Sequence, residues 1–139
     1  MLFFGVPNIE KLKSTGNTQK LIKALQHRDD TIRGAAASAL VEIGEPAIPT
    51  LVEGLSNESR AVRSGAGNVL VEIGEPGKGV IPALIEALSD ENEDVGSGAA
   101  SALGRMREPG VPALVEALGD DSRAVRLRAA YQMGRVRMK

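Results

Sequence analysis

His27 is the sole histidine of this chain, and there is no cysteine. A nucleophilic triad needs a serine, a histidine base and an acid in mutual reach, and a zinc site needs several nitrogen or sulfur ligands. His27 stands in Gln26-His27-Arg28-Asp29, where a short helical pattern ends. An imidazole there is expected to touch the free carbonyls of a helix C-terminus. Paired carboxylates are the next candidates for acid–base work. Glu42 and Glu72 recur at one surface position, so repetition explains them better than catalysis. The run Asp90-Glu91-Asn92-Glu93-Asp94 lacks the spacing and the glycine of a calcium loop. The segment from Gly74 to Gly79 lacks the Lys-Ser/Thr ending and the preceding strand of a phosphate loop. These residues point to no enzyme, no metal and no cofactor.

Charge is uneven along the chain. Residues 111–139 hold six basic and three acidic side chains, whereas 80–110 hold two basic and six acidic ones. An anionic partner of the C-terminal end is one reading; the other is complementation of a helix dipole plus stacking pairs with aspartates. The net charge of −1 and an aromatic content of 2% argue against nucleic acid, whose binders use basic grooves and stacking rings. No run approaches the roughly 18 apolar residues of a membrane span. The opening Met-Leu-Phe-Phe-Gly-Val-Pro is short for a signal peptide and has no basic residue before it. A cytoplasmic chain without membrane contact is expected, with Phe3 and Phe4 as a plug over the first helices.

The elements that position these groups come from a repeat. Leu-x-x-x-Leu recurs at Leu21/Leu25, Leu51/Leu55, Leu84/Leu88 and Leu114/Leu118, with offsets of 30, 33 and 30. A second anchor has the same offsets: Ile32-Arg33, Val62-Arg63, Val95-Gly96 and Val125-Arg126. Two anchors sharing one irregular spacing mark duplication. The three extra residues fall around Gly77-Lys78-Gly79. Each unit reads as a short helix opened by Pro49, Pro82 or Pro112 and then a longer one. Asp29-Asp30, Ser56-Asn57, Ser89-Asp90 and Asp120-Asp121-Ser122 are expected to cap the longer helices, and Gly44 and Gly74 to stop the first two. Ile32, Ala35, Ala36, Ala39, Leu40 and Ile43 share one side of the first long helix; Val62, Gly65, Ala66, Val69, Leu70 and Ile73 do so in the second. One hairpin cannot bury such a stripe, but stacked hairpins can. The division expected is a cap segment 1–16 and four repeats at 17–46, 47–79, 80–110 and 111–139.

The pattern Asp-x-x-Ile/Val-Arg-x-x-Ala-Ala-x-x-Leu-x-x-Ile-Gly, then a loop, then Pro-x-Leu-x-x-x-Leu, resembles the HEAT-like repeats of phycobilisome-lyase-type proteins and many bacterial and archaeal proteins. It covers residues 17–139. Pro7 to Lys13 looks like the short helix that caps some archaeal members, with Asn8 as its N-cap and Gly16 as its stop. The resemblance implies an all-α, right-handed α-α superhelix, with second helices lining the concave side. It also implies an arginine after each β-branched anchor. Repeat three has Gly96 there, and Gly98 follows in the same helix, each costing about 1 kcal/mol against alanine. Repeat three is therefore expected to be the softest.

A helical wheel assigns Gly34, Ala37, Ser38 and Val41 to the open side of the first long helix. It assigns Ser64, Gly67, Asn68 and Val71, then Ser97, Ala100, Ser101 and Gly104, then Leu127, Ala130, Tyr131 and Gly134 to the later ones. A flank beside them runs Glu42, Glu72, Arg105, Arg135. The expected function is a non-catalytic scaffold that binds a protein or peptide through Ser64, Asn68, Val71, Ser101, Arg105, Leu127, Tyr131 and Arg135. Two alternatives are an anionic partner on the Arg-rich last repeat and a phycobilin-lyase-like accessory subunit, the latter from the resemblance alone. End-to-end self-association through Val125, Met133 and Val136 is a further expectation.

Overall fold

The computed structural model describes residues 6–74, 79–108 and 110–135. The expected plug at Phe3 and Phe4, most of the lengthened loop, and Val136 lie outside them. Every regular element among the described residues is helical: α1 (Ile9–Ser14), α2 (Thr18–Lys23) running into a 3₁₀ turn (Ala24–Gln26), α3 (Asp30–Ile43), a 3₁₀ turn (Glu45–Ala47), α4 (Ile48–Gly54), α5 (Arg60–Ile73), α6 (Val80–Ala87), α7 (Glu93–Arg105), α8 (Val111–Ala117) and α9 (Arg123–Arg135). The chain is a superhelical stack of helical hairpins. Short helices α2, α4, α6 and α8 form one layer; long helices α3, α5, α7 and α9 form the other, and they pack on one another more extensively than the short ones do. Helix α1 covers α3, and Lys13 Nζ donates to Glu42 Oε1 at 3.0 Å to pin the two.

The repeat spacing is a packing register. Leu21, Leu51, Leu84 and Leu114 are fully buried, as are Ala36, Ala66, Ala99 and Ala129 at one position of the long helices. Alanine there lets neighbouring long helices approach, and leucine fills the seam between layers. Glycine serves the same close approach at Gly65 and Gly98: a side chain at either would press on Leu25 or Leu55 of the preceding short-helix end. Gly98 is thus a packing residue of the stack.

The helix ends follow the expected chemistry with shifts. Asn8, Asn17 and Asp29 cap α1, α2 and α3 by accepting from backbone N–H groups, and Gly16 and Gly44 take the positive φ that favours glycine. Gly74 does not: its φ is −63°, and it is small because the Met106 side chain occupies the space a Cβ would need. The caps of α5 and α7 are Ser59 and Asn92, further along than expected. Ser56 and Ser89 instead donate back to the carbonyls of Glu53 and Glu86, closing the preceding short helix.

These shifts expose a four-fold turn motif. The side chains of His27, Asn57, Asp90 and Asp120 each accept from the backbone N–H two residues on, at 3.0, 2.8, 2.8 and 2.8 Å. Their spacing is again 30, 33 and 30. His27 is therefore the repeat-one member of a turn position, its Nδ1 an acceptor rather than a donor to helix carbonyls. In three of the repeats the arginine after the β-branched anchor closes this turn through backbone carbonyls. Arg33 Nη1 donates to the His27 carbonyl at 2.6 Å, Arg63 to that of Asn57 at 2.7 Å, and Arg126 to that of Asp120 at 2.7 Å.

Candidate partner-binding face

In repeat three, where Gly96 replaces the turn arginine, the guanidinium comes from the next repeat. Arg128 Nη1 donates to the carbonyls of Leu88 at 2.6 Å and Asp90 at 3.1 Å. Its Nη2 donates to Glu93 Oε1 at 2.9 Å, and Ser97 Oγ donates to Glu93 Oε2 at 2.6 Å. Arg128 is the only buried charged side chain among the described residues, at 7% exposure. It occupies the repeat position held by Gly65 and Gly98, and a side chain at Gly96 would run into its guanidinium. Two substitutions are thus complementary: arginine to glycine at 96 and glycine to arginine at 128. The softness expected of repeat three rests on the helix cost of Gly96 and Gly98; Arg128 adds contacts to the same turn on the opposite side of that balance. The charge-assisted bonds from this buried guanidinium to the turn carbonyls are of a kind that contributes about 1.5–3 kcal/mol each, while the pair with the exposed Glu93 is screened by solvent.

Beside this clamp a groove of about 390 Å³ runs between α7 and α9, lined by Glu93, Ser97, Arg128, Leu127, Tyr131 and Gln132, with Ala124 at its side. Leu127 and Tyr131 are 57% and 66% exposed, one helical turn apart on α9, and the Arg135 guanidinium lies 5.9 Å from the Tyr131 ring centre. The Glu93 carboxyl is held below the usual carboxylate range, first by the Ser97 hydroxyl, then by the Arg128 hydrogen bond and charge. It is ionised at neutral pH and suits an acceptor, not a general acid. Because its pKa is lower folded than unfolded, its contribution to stability is present above the unfolded value and is lost as pH falls through the folded one. Glu93→Gln should therefore flatten the acid limb of stability below the ordinary carboxylate range. Urea unfolding across that range checks this, and an unchanged limb would contradict it.

The open strip is narrower than the helical wheel assigns. Ser64 and Asn68 are exposed on α5, Ser101 is half-buried on α7, and Arg105 and Arg135 are exposed at the ends of α7 and α9. Val71 is half-buried against the core. Gly67, Ala100 and Gly104, assigned to the open side, are buried. Close stacking leaves α3, α5 and α7 a row one turn apart, Gly34/Ser38, Ser64/Asn68 and Ser97/Ser101, whereas α9 exposes Ala130 and Gly134 as well as Leu127 and Tyr131. Of the eight expected site residues, Leu127 and Tyr131 meet in the groove with Arg135 beside the ring, Ser64, Asn68 and Ser101 lie along the strip, Arg105 is at the end of α7, and Val71 packs against the core. On the flank, Glu42 is paired with Lys13. Val125, expected to face another copy, is 2% exposed in the core. Glu93 and Arg128 were missed as site-forming residues, although the offsets of the repeat place Arg128 at a glycine position.

Among the described residues, no three of His, Asp and Glu gather as a metal set would, and no single helix is long and apolar enough to cross a membrane. HEAT repeats match the sequence over residues 18–79 and 48–135. The chain belongs to the HEAT-repeat family. No curated protein matches this HEAT array significantly. Among solved structures the array is similar to the complex of CpcE and CpcF of phycocyanin lyase from Nostoc sp. PCC7120, at 18% identity over 90% of this chain and 86% of that one, with a TM-score of 0.43. It is also similar to a designed armadillo repeat protein in complex with the peptide (KR)4, at 20% identity over 93% and 68%, with a TM-score of 0.36.

Proposed function

We propose that the HEAT array is a non-catalytic scaffold that holds a segment of a partner protein along the long-helix strip, anchored in the groove between α7 and α9. The supporting observation is the pair Leu127 and Tyr131, large and exposed side by side on a strip otherwise made of glycine, alanine, serine and asparagine. Tyrosine brings contact area at little entropy cost, and small neighbours let a partner backbone come close. The division into a cap segment 1–16 and repeats 17–46, 47–79, 80–110 and 111–139 is part of this proposal: the anchor is in the last repeat, and the earlier ones extend the strip.

The arginines of repeat four support an anionic partner less than their number suggests. Arg126 is engaged with turn carbonyls and Arg128 is buried in the clamp, which leaves Arg123 and Arg135 of those described. Peptides selected on the full array should lose roughly tenfold or more in affinity to a Leu127→Ala/Tyr131→Ala variant, the scale of a hot-spot pair. Fluorescence anisotropy on the selected peptides measures this. Selected binders that ignore both substitutions would place the site elsewhere.

A further inference from the structure

At the other end of the stack, a second groove of about 570 Å³ lies between α1, α2 and the 3₁₀ turn that follows α2. Its walls include Val6, Leu12 and Ala24, and Val6 is 49% exposed. Lys11, Lys20 and Lys23 line it as well, all three exposed. None of the three pairs with an acid: among the described residues, the lysine in an ion pair is Lys13, with Glu10 and Glu42. No carboxylate is among the residues that line the groove. Exposed lysines ordinarily find carboxylate neighbours or stand dispersed on a surface of mixed sign. Here three line one largely apolar hollow, and a lysine can cover apolar surface with its methylene stem while its ammonium group stays in water.

We infer that this groove is a second docking site, for a short acidic segment of a partner protein that carries one or two large apolar side chains. The volume suits such side chains, and it falls within the range of ligand-sized pockets. The unpaired lysines supply the complementary charge, which steers encounter and selects against basic segments. The site is distinct from the groove between α7 and α9, so a partner engaging both would lie along the whole array.

The probe is a fluorescein-labelled peptide of alternating aspartate and glutamate around a leucine and a phenylalanine, titrated with the full chain and followed by anisotropy. Binding should weaken as salt rises. Lys11→Glu/Lys20→Glu/Lys23→Glu should weaken it roughly tenfold or more, since three attractions become repulsions. Val6→Asp should weaken it as well, and Leu127→Ala/Tyr131→Ala should leave it unchanged. If the triple reversal loses helical circular dichroism, the corresponding glutamine triple replaces it, with a smaller loss expected. Equal binding of a charge-inverted peptide would overturn the inference. So would loss of binding on the Leu127/Tyr131 variant in place of the lysine variant. A gain in affinity on Phe3→Ser/Phe4→Ser would also overturn it, by showing that the chain's own N-terminus is the resident occupant.

Discussion

Gly96→Arg combined with Arg128→Gly should give an array more stable than either change alone. Arg128→Gly by itself removes the guanidinium from the Leu88 and Asp90 carbonyls and from Glu93. The lost charge-assisted bonds, with a buried carbonyl left unpaired, should cost about 2–4 kcal/mol. Gly96→Arg by itself forces a second side chain into space that the Arg128 guanidinium fills, and overpacking of this kind costs about 1–3 kcal/mol. The double variant recreates the arrangement of repeat two, where Arg63 closes its own turn and Gly65 rests on Leu25. The two changes should therefore couple by about 1–3 kcal/mol in the favourable direction. Denaturant unfolding of the four members of the cycle measures that coupling. Strict additivity would mean that the guanidinium at Arg128 does not stand in for the one missing at Gly96.

Leu51→Ala and Leu118→Ala should differ several-fold in cost although both belong to the repeated Leu-x-x-x-Leu. Leu51 is fully enclosed between the layers, and truncation leaves a cavity that close-packed helices cannot collapse; about 3–5 kcal/mol is expected. Leu118 holds the position of Leu25, Leu55 and Leu88, but it is 41% exposed because no described residue packs over it as Gly98 packs over Leu55. Its truncation should cost about 1 kcal/mol or less. Thermal or urea unfolding of the two variants decides this. Equal losses would mean that Leu118 is covered in solution.

The repeat offsets made the fold legible, because in a stack of near-identical units the sequence period is also the packing register. The inner rows at Ala36, Ala66, Ala99 and Ala129 follow directly from it. The face was legible only in part. A helical wheel treats each helix as though it had one neighbour, whereas α5 and α7 each have a long helix on both sides, so Gly67, Ala100 and Gly104 are enclosed. The caps Ser59 and Asn92 were displaced because Asn57 and Asp90 bond within the turn and hold the N–H of the true cap. By composition alone Arg128 is one of six basic residues in 111–139. Its role depends on an exchange between repeats, and a pattern compared only position by position does not reveal which arginine serves which turn.

Hydrogen exchange of the wild-type chain and of Arg128→Ala, followed peptide by peptide, tests most directly whether the array is a line of hairpins coupled to their neighbours. In the wild type, the turn over residues 88–96 should be protected to about the degree of its counterpart over 55–63. In Arg128→Ala, protection should fall over 88–96 and at the start of α9, while 55–63 stays as it was. A wild-type 88–96 segment that already exchanges freely, or a loss spread evenly over all four hairpins, would contradict the account.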